Sequence, residues 1–249
     1  MPAWQADILM YHSISDAPGP TSIAPNIFAA QMRALAASGL PVVTPDALAN
    51  PPAPRVVIIS FDDGFEDFAD TAWPILREHG FCPIVYLPSG LMGGTDSWAG
   101  GNIPPRPLMD WDRVKALAAE GVSFGAHSVS HPDLSTLDAE TLEEEVTGSG
   151  PDIAARLGQP VRHFAPPYGA SNPNVRAQIA RHYDTSVGTR LGVAGPGDDI
   201  HDLPRLEMFY FTDIARWQAH LAGRGGSYLA ARKLMRGVRS GLSRVLPIN

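Results

Sequence analysis

Val56-Val-Ile-Ile-Ser-Phe-Asp-Asp-Gly64 is an apolar run that ends in two adjacent carboxylates and a glycine. The run predicts a buried strand. Because an uncompensated buried carboxylate costs several kcal/mol, Asp62 and Asp63 must be paired or bound to something. Either could cap a helix beginning near Glu66, but capping accounts for only one of them. For the pair we favour one metal ligand and one base, with Gly64 permitting a tight turn and close backbone approach.

Strand-like and helix-like segments alternate along almost the whole chain, which is typical of βα units around a parallel sheet. We predict strands near residues 6–11, 41–44, 55–60, 82–87, 121–126, 161–165, 184–188 and 204–210. We predict helices near residues 25–38, 66–79, 110–120, 138–157, 173–182 and 213–222. The length of 249 residues and the apolar content of 44% fit one α/β domain.

Four polar clusters follow the carboxyl ends of predicted strands. They are His12, Asp62-Asp63, His127-Ser-Val-Ser-His131 and Pro166-Pro-Tyr-Gly169. In a barrel of parallel strands these ends converge on one face, so the four clusters can share one pocket. The segment 92–110 is rich in glycine and proline and contains Trp98, which predicts a long loop that helps to wall the same groove.

His127 and His131 are four residues apart, a spacing that predicts both imidazoles on one side of a helical turn. This spacing alone is a weak signal, because a single histidine is more often an ordinary surface or core residue. Together with the paired aspartates, it predicts a divalent metal held by one carboxylate and two imidazoles. The single cysteine, Cys82, excludes an internal disulfide and a cysteine-based metal site.

Basic residues are concentrated at the end of the chain, although the net charge is −7. Seven of the 19 lysines and arginines follow residue 213, and no acidic residue does. Leucine, methionine and valine interleave with them at helical spacing, which predicts a basic amphipathic helix within a tail of residues 213–249. The helix could pack on the domain or attach to an anionic membrane surface. Nucleic-acid binding is disfavoured, because the acidic remainder of the chain would repel phosphate.

The start of the chain shows no basic leader followed by an apolar segment. No apolar stretch approaches the roughly 18–20 residues of a membrane span. We therefore expect a cytoplasmic protein, at the inner face of the membrane if the tail binds there, unless a leader has been removed.

Three motifs resemble, in order, those of the polysaccharide deacetylases, the NodB-homology esterases of carbohydrate esterase family 4. They are Ser60-Phe-Asp-Asp-Gly64, His127-Ser-Val-Ser-His131 and Phe164-Ala-Pro-Pro-Tyr-Gly169. The resemblance covers about residues 6–210, and its specificity comes from the combination. It implies a distorted (β/α)7-type barrel in a single catalytic domain of residues 1–212, which hydrolyses N-acetyl groups on amino sugars with the help of a metal.

The same resemblance assigns roles to individual residues. It makes Asp62 the general base and Asp63, His127 and His131 the metal ligands. The backbone N–H of Tyr168, which follows Pro167, helps to bind the oxyanion. One aspartate and two histidines suit zinc, although cobalt, nickel, manganese or iron can occupy such ligands.

The chain departs from the common family pattern at the general acid. The stretch that usually supplies this acid is Leu203-Pro-Arg-Leu-Glu-Met208, which contains no histidine. His12, in Ile8-Leu-Met-Tyr-His-Ser-Ile14, instead resembles the acid of the permuted branch that includes the poly-N-acetylglucosamine deacetylases. We expect His12 to protonate the departing amine, with capping or packing as the alternative.

A second departure is Ala165, where many members carry an arginine that orients the catalytic carboxylate. Arg205 is a candidate to contact Asp62, to contact the substrate or to form a salt bridge on the barrel wall. Asp184 is a candidate to orient His12, or it could cap a loop.

These inferences predict a metal-dependent N-deacetylase of an exopolysaccharide, a cell-envelope glycan or a lipid-linked saccharide. One alternative is an amidohydrolase of the same fold that acts on a non-polysaccharide amide. Another is a glycan-binding relative that has lost catalysis, which the missing arginine leaves open. The joint presence of the two aspartates and two histidines argues against that last possibility.

Overall fold

The computed structural model describes residues 4–99 and 104–245. The first three residues, residues 100–103 of the predicted loop, and the last four residues of the predicted tail lie outside these ranges. The described chain forms a closed barrel of parallel strands that follow one another in chain order, which confirms the predicted α/β barrel. The strands are β1 (Gln5–Tyr11), β2 (Arg55–Phe61), β3 (Ile84–Leu87), β4 (Ser123–Ala126), β5 (His163–Phe164), β6 (Thr185–Leu191) and β7 (Leu203–Glu207).

Helices surround the barrel. They are α1 (Pro25–Ser38), α2 (Trp73–Glu78), α3 (Trp111–Ala119), α4 (Ala139–Leu157), α5 (Pro173–Ile179), α6 (Ile214–Leu221) and α7 (Gly226–Val245). Local sequence fixes the ends of α4, since the Asp138 side chain accepts a hydrogen bond from the Thr141 N–H and Gly158 adopts a left-handed conformation. The helix predicted over 66–79 is present: residues 66 and 67 are helical, a π-helical turn follows over Phe68–Ala72, and α2 continues from it.

Strands β1 and β2 are buried on both faces, as is typical of a parallel barrel. In β2, every residue after Arg55 is buried, and β2 pairs in register with β1 from Gln5 opposite Arg55 to Tyr11 opposite Phe61. The ring of Phe61 stacks on that of Tyr11, with centroids 5.2 Å apart. The end of β2 is therefore rigidly placed, and so are the two carboxylates that follow it.

One predicted strand is absent from the barrel. Residues 41–44 contribute only an isolated bridge, between Val42 and Val57, before a 3-10 turn over Pro45–Ala49. Pro41 and Pro45 bracket this segment, and a residue without an N–H cannot donate to a ladder. The strand was predicted because the residues between the two prolines, Val42, Val43 and Thr44, are β-branched and favour strands.

The tail predicted over residues 213–249 is helical in two pieces, α6 and α7. Trp217 of α6 is fully buried, and its indole N–H donates to the Gln31 carbonyl of α1 at 3.0 Å. The tail therefore begins with a helix that belongs to the outer layer of the barrel. Across the described residues, none of the helices combines the length and apolarity needed to cross a bilayer.

Candidate active site

The two carboxylates that follow β2 face different partners, although they are adjacent in the sequence. Asp62 contacts a guanidinium group, and Asp63 contacts two imidazoles. Asp63 has a left-handed backbone with a φ of 73°, and Gly64 has the same φ. A Cβ added at Gly64 would lie 2.7 Å from Leu87 Cδ2, which confirms the predicted close approach of the backbone. This sharp turn separates the two acid groups.

The two histidines lie in the loop after β4. The predicted helical turn is wrong, because Ser128 and His131 have φ values of 64° and 61°, in the left-handed region. The imidazoles of His127 and His131 nevertheless converge, with ring centroids 5.0 Å apart. The loop shape, rather than helical spacing, brings them together.

Glu145 of α4 holds this loop in place. Its carboxylate accepts hydrogen bonds from the backbone N–H groups of Val129 and Ser130, at 2.8 and 2.9 Å, and from the Ser130 hydroxyl. Glu145 is 9% exposed, so these bonds replace its contacts with water. They fix the segment between the two histidines.

Asp63, His127 and His131 are buried, and each places one ligand atom within 4.8 Å of the other two. Asp63 Oδ1 lies 3.3 Å from His127 Nε2 and 3.2 Å from His131 Nε2. Ligands about 2.0–2.1 Å from a tetrahedral zinc ion lie about 3.3 Å apart, so the donor set fits a divalent metal. The His127 Nδ1–H donates to the Ala165 carbonyl at 2.5 Å, which leaves Nε2 as the ligand atom.

Charge at the site also favours metal binding. Burial by itself would raise the pKa of the Asp63 carboxyl, but hydrogen bonds from His127 and His131 hold this pKa well below its usual range. Asp63 is therefore ionised, as a metal ligand must be. We infer that the three side chains could hold one divalent cation.

Arg205 of β7 pairs with Asp62. Its Nη1 and Nη2 donate to the two oxygens of Asp62, both at 2.7 Å, and its Nε donates to the Gly188 carbonyl at 2.8 Å. Burial by itself would raise the pKa of Asp62, but the charge and hydrogen bonds of Arg205 hold it below its usual range. Of the roles considered for Arg205, a buried salt bridge to Asp62 is the one observed. A guanidinium therefore contacts the Asp62 carboxylate from β7, although position 165 is an alanine.

His12 enters the site from the opposite end of the sequence. It directly follows β1, and its Nε2 lies 3.9 Å from Asp62 Oδ2. Its ring lines the same cavity as Asp63 and Tyr168. The predicted convergence of distant clusters on one face of the barrel is therefore confirmed.

The cavity has a volume of about 460 Å³ and aromatic walls. Trp98, from the predicted loop 92–110, stacks on His131 with ring centroids 4.1 Å apart. Tyr168 meets His131 edge-on at 4.8 Å and has a φ of 60°, whereas Pro167 is buried. For its described residues, the predicted loop does wall the groove.

Two other groups lie away from the site. Asp184 precedes β6 at the amino end of the barrel, and its carboxylate is 3.5 Å from Arg162. The prediction that Asp184 orients His12 is wrong, because the site lies at the carboxyl ends of the strands. His220 also lies at the amino end, with its Nε2 3.2 Å from Asp7 Oδ2, so it cannot serve as the acid.

Sequence reasoning missed Glu145, and it gave no role to two cavity-lining residues, Glu207 and Arg236. Glu145 shares a helical face with Leu142 and Val146, a pattern that could have indicated its burial. Glu207 ends β7 in the stretch already noted for its missing histidine. No pattern in the sequence indicated that α7 reaches the cavity.

The family model described as polysaccharide deacetylase matches residues 49–186, which is more than half of the chain. The chain belongs to the polysaccharide deacetylase family. The Streptococcus pyogenes deacetylase PplD, solved in complex with acetate, superposes with a TM-score of 0.70 at 26% identity, over 81% of this chain and 91% of PplD.

Two further comparisons concern a solved structure and a protein with a similar sequence. IcaB from Ammonifex degensii superposes with a TM-score of 0.70 at 20% identity, over 86% of this chain and 97% of IcaB, which shows a shared fold. The chitooligosaccharide deacetylase of Rhizobium leguminosarum bv. trifolii is 33% identical over 122 residues, which are 49% of this chain and 50% of that protein. This chain thus spans half the length of that relative.

Proposed function

We propose that the protein is a metal-dependent hydrolase that removes N-acetyl groups from amino sugars. The substrate class is an exopolysaccharide, a cell-envelope glycan or a lipid-linked saccharide. The observation that carries the proposal is the buried Asp63, His127 and His131 cluster beside the paired Asp62, in one cavity. Family membership and the chitooligosaccharide deacetylase among the relatives support an N-acetylated glycan as substrate.

Asp63, His127 and His131 would hold the metal, and zinc suits this donor set. When bound, a divalent ion lowers the pKa of water and polarises a carbonyl group. The tautomer of His127 is set by its hydrogen bond to Ala165, and its loop is fixed by Glu145. The ligands are thus positioned by the fold before any ion arrives.

Asp62 is the general base of the proposed reaction. Its bidentate salt bridge keeps it ionised and fixes its orientation, while each carboxylate oxygen retains a second lone pair that can accept a proton from the attacking water. Arg205 is a positioning residue in this scheme. It also balances the charge of Asp62 in a buried setting.

His12 is the general acid, which protonates the amine as the amide bond breaks. It stands 3.9 Å from Asp62, so base and acid flank the same small volume. The backbone N–H of Tyr168, which lines the same cavity, is proposed to donate to the oxyanion. The N-terminal origin of His12 supports the resemblance to the permuted branch.

Acetate release tests this function. The full-length protein is incubated with N-acetylglucosamine oligomers of several lengths, and in parallel with formamide and longer-chain amides that carry no sugar. We expect acetate from the oligomers only, abolished by chelation and restored by zinc, cobalt, nickel or manganese. Release of formate or of a longer-chain acid from the non-sugar amides, without acetate from the oligomers, would favour the amidohydrolase alternative. Oligomer binding without acetate release would favour the inactive relative.

A second proposal concerns location. We propose a cytoplasmic protein that contacts the inner face of the membrane through α7, because Leu234 and Met235 are 71% and 53% exposed beside Lys233 on this basic helix. Sedimentation with anionic vesicles should fall when both apolar residues are changed to aspartate. Ile200→Asp, at another exposed apolar residue, is the matched control. Equal sedimentation of all three proteins would refute membrane contact.

A further inference from the structure

Most charged groups that line the cavity have partners within the chain. Asp62 is paired with Arg205, and Asp63 with two imidazoles. Arg106 donates to Asp96 at 2.9 Å and to the Ser22 hydroxyl at 3.1 Å. The proposed reaction gives no role to Glu207 or to Arg236, which also line the cavity.

Arg236 reaches the cavity because the first turns of α7 are anchored on the barrel. The Tyr228 hydroxyl donates to the Tyr210 carbonyl at 2.7 Å, and Leu229 is buried. One turn later, the Arg232 guanidinium lies over the Tyr210 ring, 4.8 Å from its centroid. Residues 228, 232 and 236 are four apart and so share one face of the helix, which directs the third of them toward the barrel.

The Arg236 guanidinium is incompletely bonded. Its Nη1 is buried and has no hydrogen-bond partner among the described residues. A buried donor without a partner is unfavourable, and a charged donor more so, unless a ligand completes it. The pKa of Glu207 is raised, because the effect of burial exceeds the opposing effect of the charges of His12, Arg205 and Arg236.

We propose that Arg236 binds an anionic group, a carboxylate or a phosphate, carried by the acetamido sugar. This inference rests on the proposed deacetylase function and narrows its substrate class to acidic amino sugars. A planar guanidinium with free donors matches both anions and binds either through paired hydrogen bonds. Arg236 is a specificity-determining residue, and α7 is the part of the chain that brings it to the site.

Binding to three sugars tests the proposal. N-acetylglucosamine, N-acetylmuramic acid and N-acetylglucosamine 6-phosphate share the acetamido ring, and the last two add a carboxylate and a phosphate. Each is titrated calorimetrically into the full-length protein. We expect at least one acidic sugar to bind about tenfold to a hundredfold more tightly than N-acetylglucosamine. The acidic sugar that binds more tightly identifies the anion.

Arg236→Gln should remove this preference and leave the affinity for N-acetylglucosamine within about twofold. Arg224→Gln is the matched control, because Arg224 is an exposed arginine just before α7. It should preserve the preference. Arg236→Lys, which keeps the charge but loses the paired geometry, should retain part of it.

Three results would overturn the proposal: equal binding of all three sugars, binding of none at millimolar concentration, or an equal loss for all three in Arg236→Gln. Circular dichroism of each variant shows whether it is folded. The titration measures binding and needs no turnover. The anion site at Arg236 and the deacetylase function can therefore be refuted independently. Acetate release without acid preference refutes only the role of Arg236, whereas acid preference without acetate release refutes the deacetylase.

Discussion

The two ends of the barrel both carry histidine and aspartate, yet their contacts differ. At the amino end, Asp7 Oδ2 accepts a hydrogen bond from Arg55 at 2.5 Å and lies 3.2 Å from His220 Nε2. Arg55 also donates to the carbonyls of His220 and Leu221. These contacts tie α6 to β1 and β2, so the charged groups there join elements of the fold.

At the carboxyl end, the histidine and aspartate side chains line a cavity and do not join helices to strands. Four non-glycine residues of the described chain have positive φ, and all of them lie at this end: Asp63, Ser128, His131 and Tyr168. Such conformations cost about 1–2 kcal/mol per residue and persist where the surroundings impose them. The same residue types therefore stabilise the fold at one end and are held in strained positions for chemistry at the other.

The largest effect should come from removing a metal ligand. We expect His131→Ala to lose the metal and to lower acetate release at least about a thousandfold, because the ion supplies several kcal/mol of transition-state stabilisation. His220→Ala is the matched control, since this histidine pairs with an aspartate at the other end. Metal analysis and acetate release are measured on both. Equal metal loss in the two variants would contradict the claim that only the carboxyl end of the barrel binds the metal.

His12→Ala should reduce turnover by about 10²- to 10⁴-fold, the contribution expected of a general acid. The metal content should not change, because His12 is outside the ligand cluster. Rates are measured on N-acetylglucosamine oligomers with the metal saturating. Near-normal turnover would leave His12 with a packing role.

Glu145→Gln should weaken metal affinity by about 10- to 100-fold, because Glu145 orders the loop between the two histidine ligands. Glu144→Gln changes an exposed neighbour on the same helix and should have little effect. Competition with a chromophoric chelator gives both affinities. If the two variants bind metal equally well, the hydrogen bonds of Glu145 do not position the ligands.

The smallest effect on turnover should come from the amino end. Asp7→Asn should lower the free energy of unfolding by about 3 kcal/mol, because it breaks a buried ion pair with Arg55. Turnover of the folded protein should stay within about twofold of wild type, since chemistry occurs at the other end. Urea denaturation and acetate release check the two parts. A large loss of turnover in a folded variant would contradict the division between the ends.

The sequence predicted most of the barrel because the hydrophobic runs of β1 and β2 and the cap residues of α4 act locally. It predicted that one carboxylate and two imidazoles would lie together, because their residue types and the strand end indicate this without the exact backbone, and the family resemblance singled out Asp63. The segment 41–44 misled it, because β-branched residues favour strands and the flanking prolines were given too little weight.

The rest of the site depends on long-range placement. Ser128 and His131 have left-handed conformations, and Glu145, on the next α-helix along the chain, binds the two residues between them through contacts that residue spacing does not reveal. The pairing of Asp62 with Arg205 joins residues 143 positions apart, so the sequence offered it only as one of several roles. Asp184 was misplaced because its position at the start of a strand was overlooked: it directly precedes β6, which puts it at the amino end of the barrel, opposite the site.

The central claim is that the two adjacent aspartates have separate roles, and one paired measurement tests it most directly. Bound metal and acetate release are determined together for Asp62→Asn and Asp63→Asn, with circular dichroism to confirm folding. We predict that Asp62→Asn keeps the metal and loses turnover, whereas Asp63→Asn loses both. If both variants lose the metal equally, or if Asp63→Asn keeps metal and turnover, the account is contradicted.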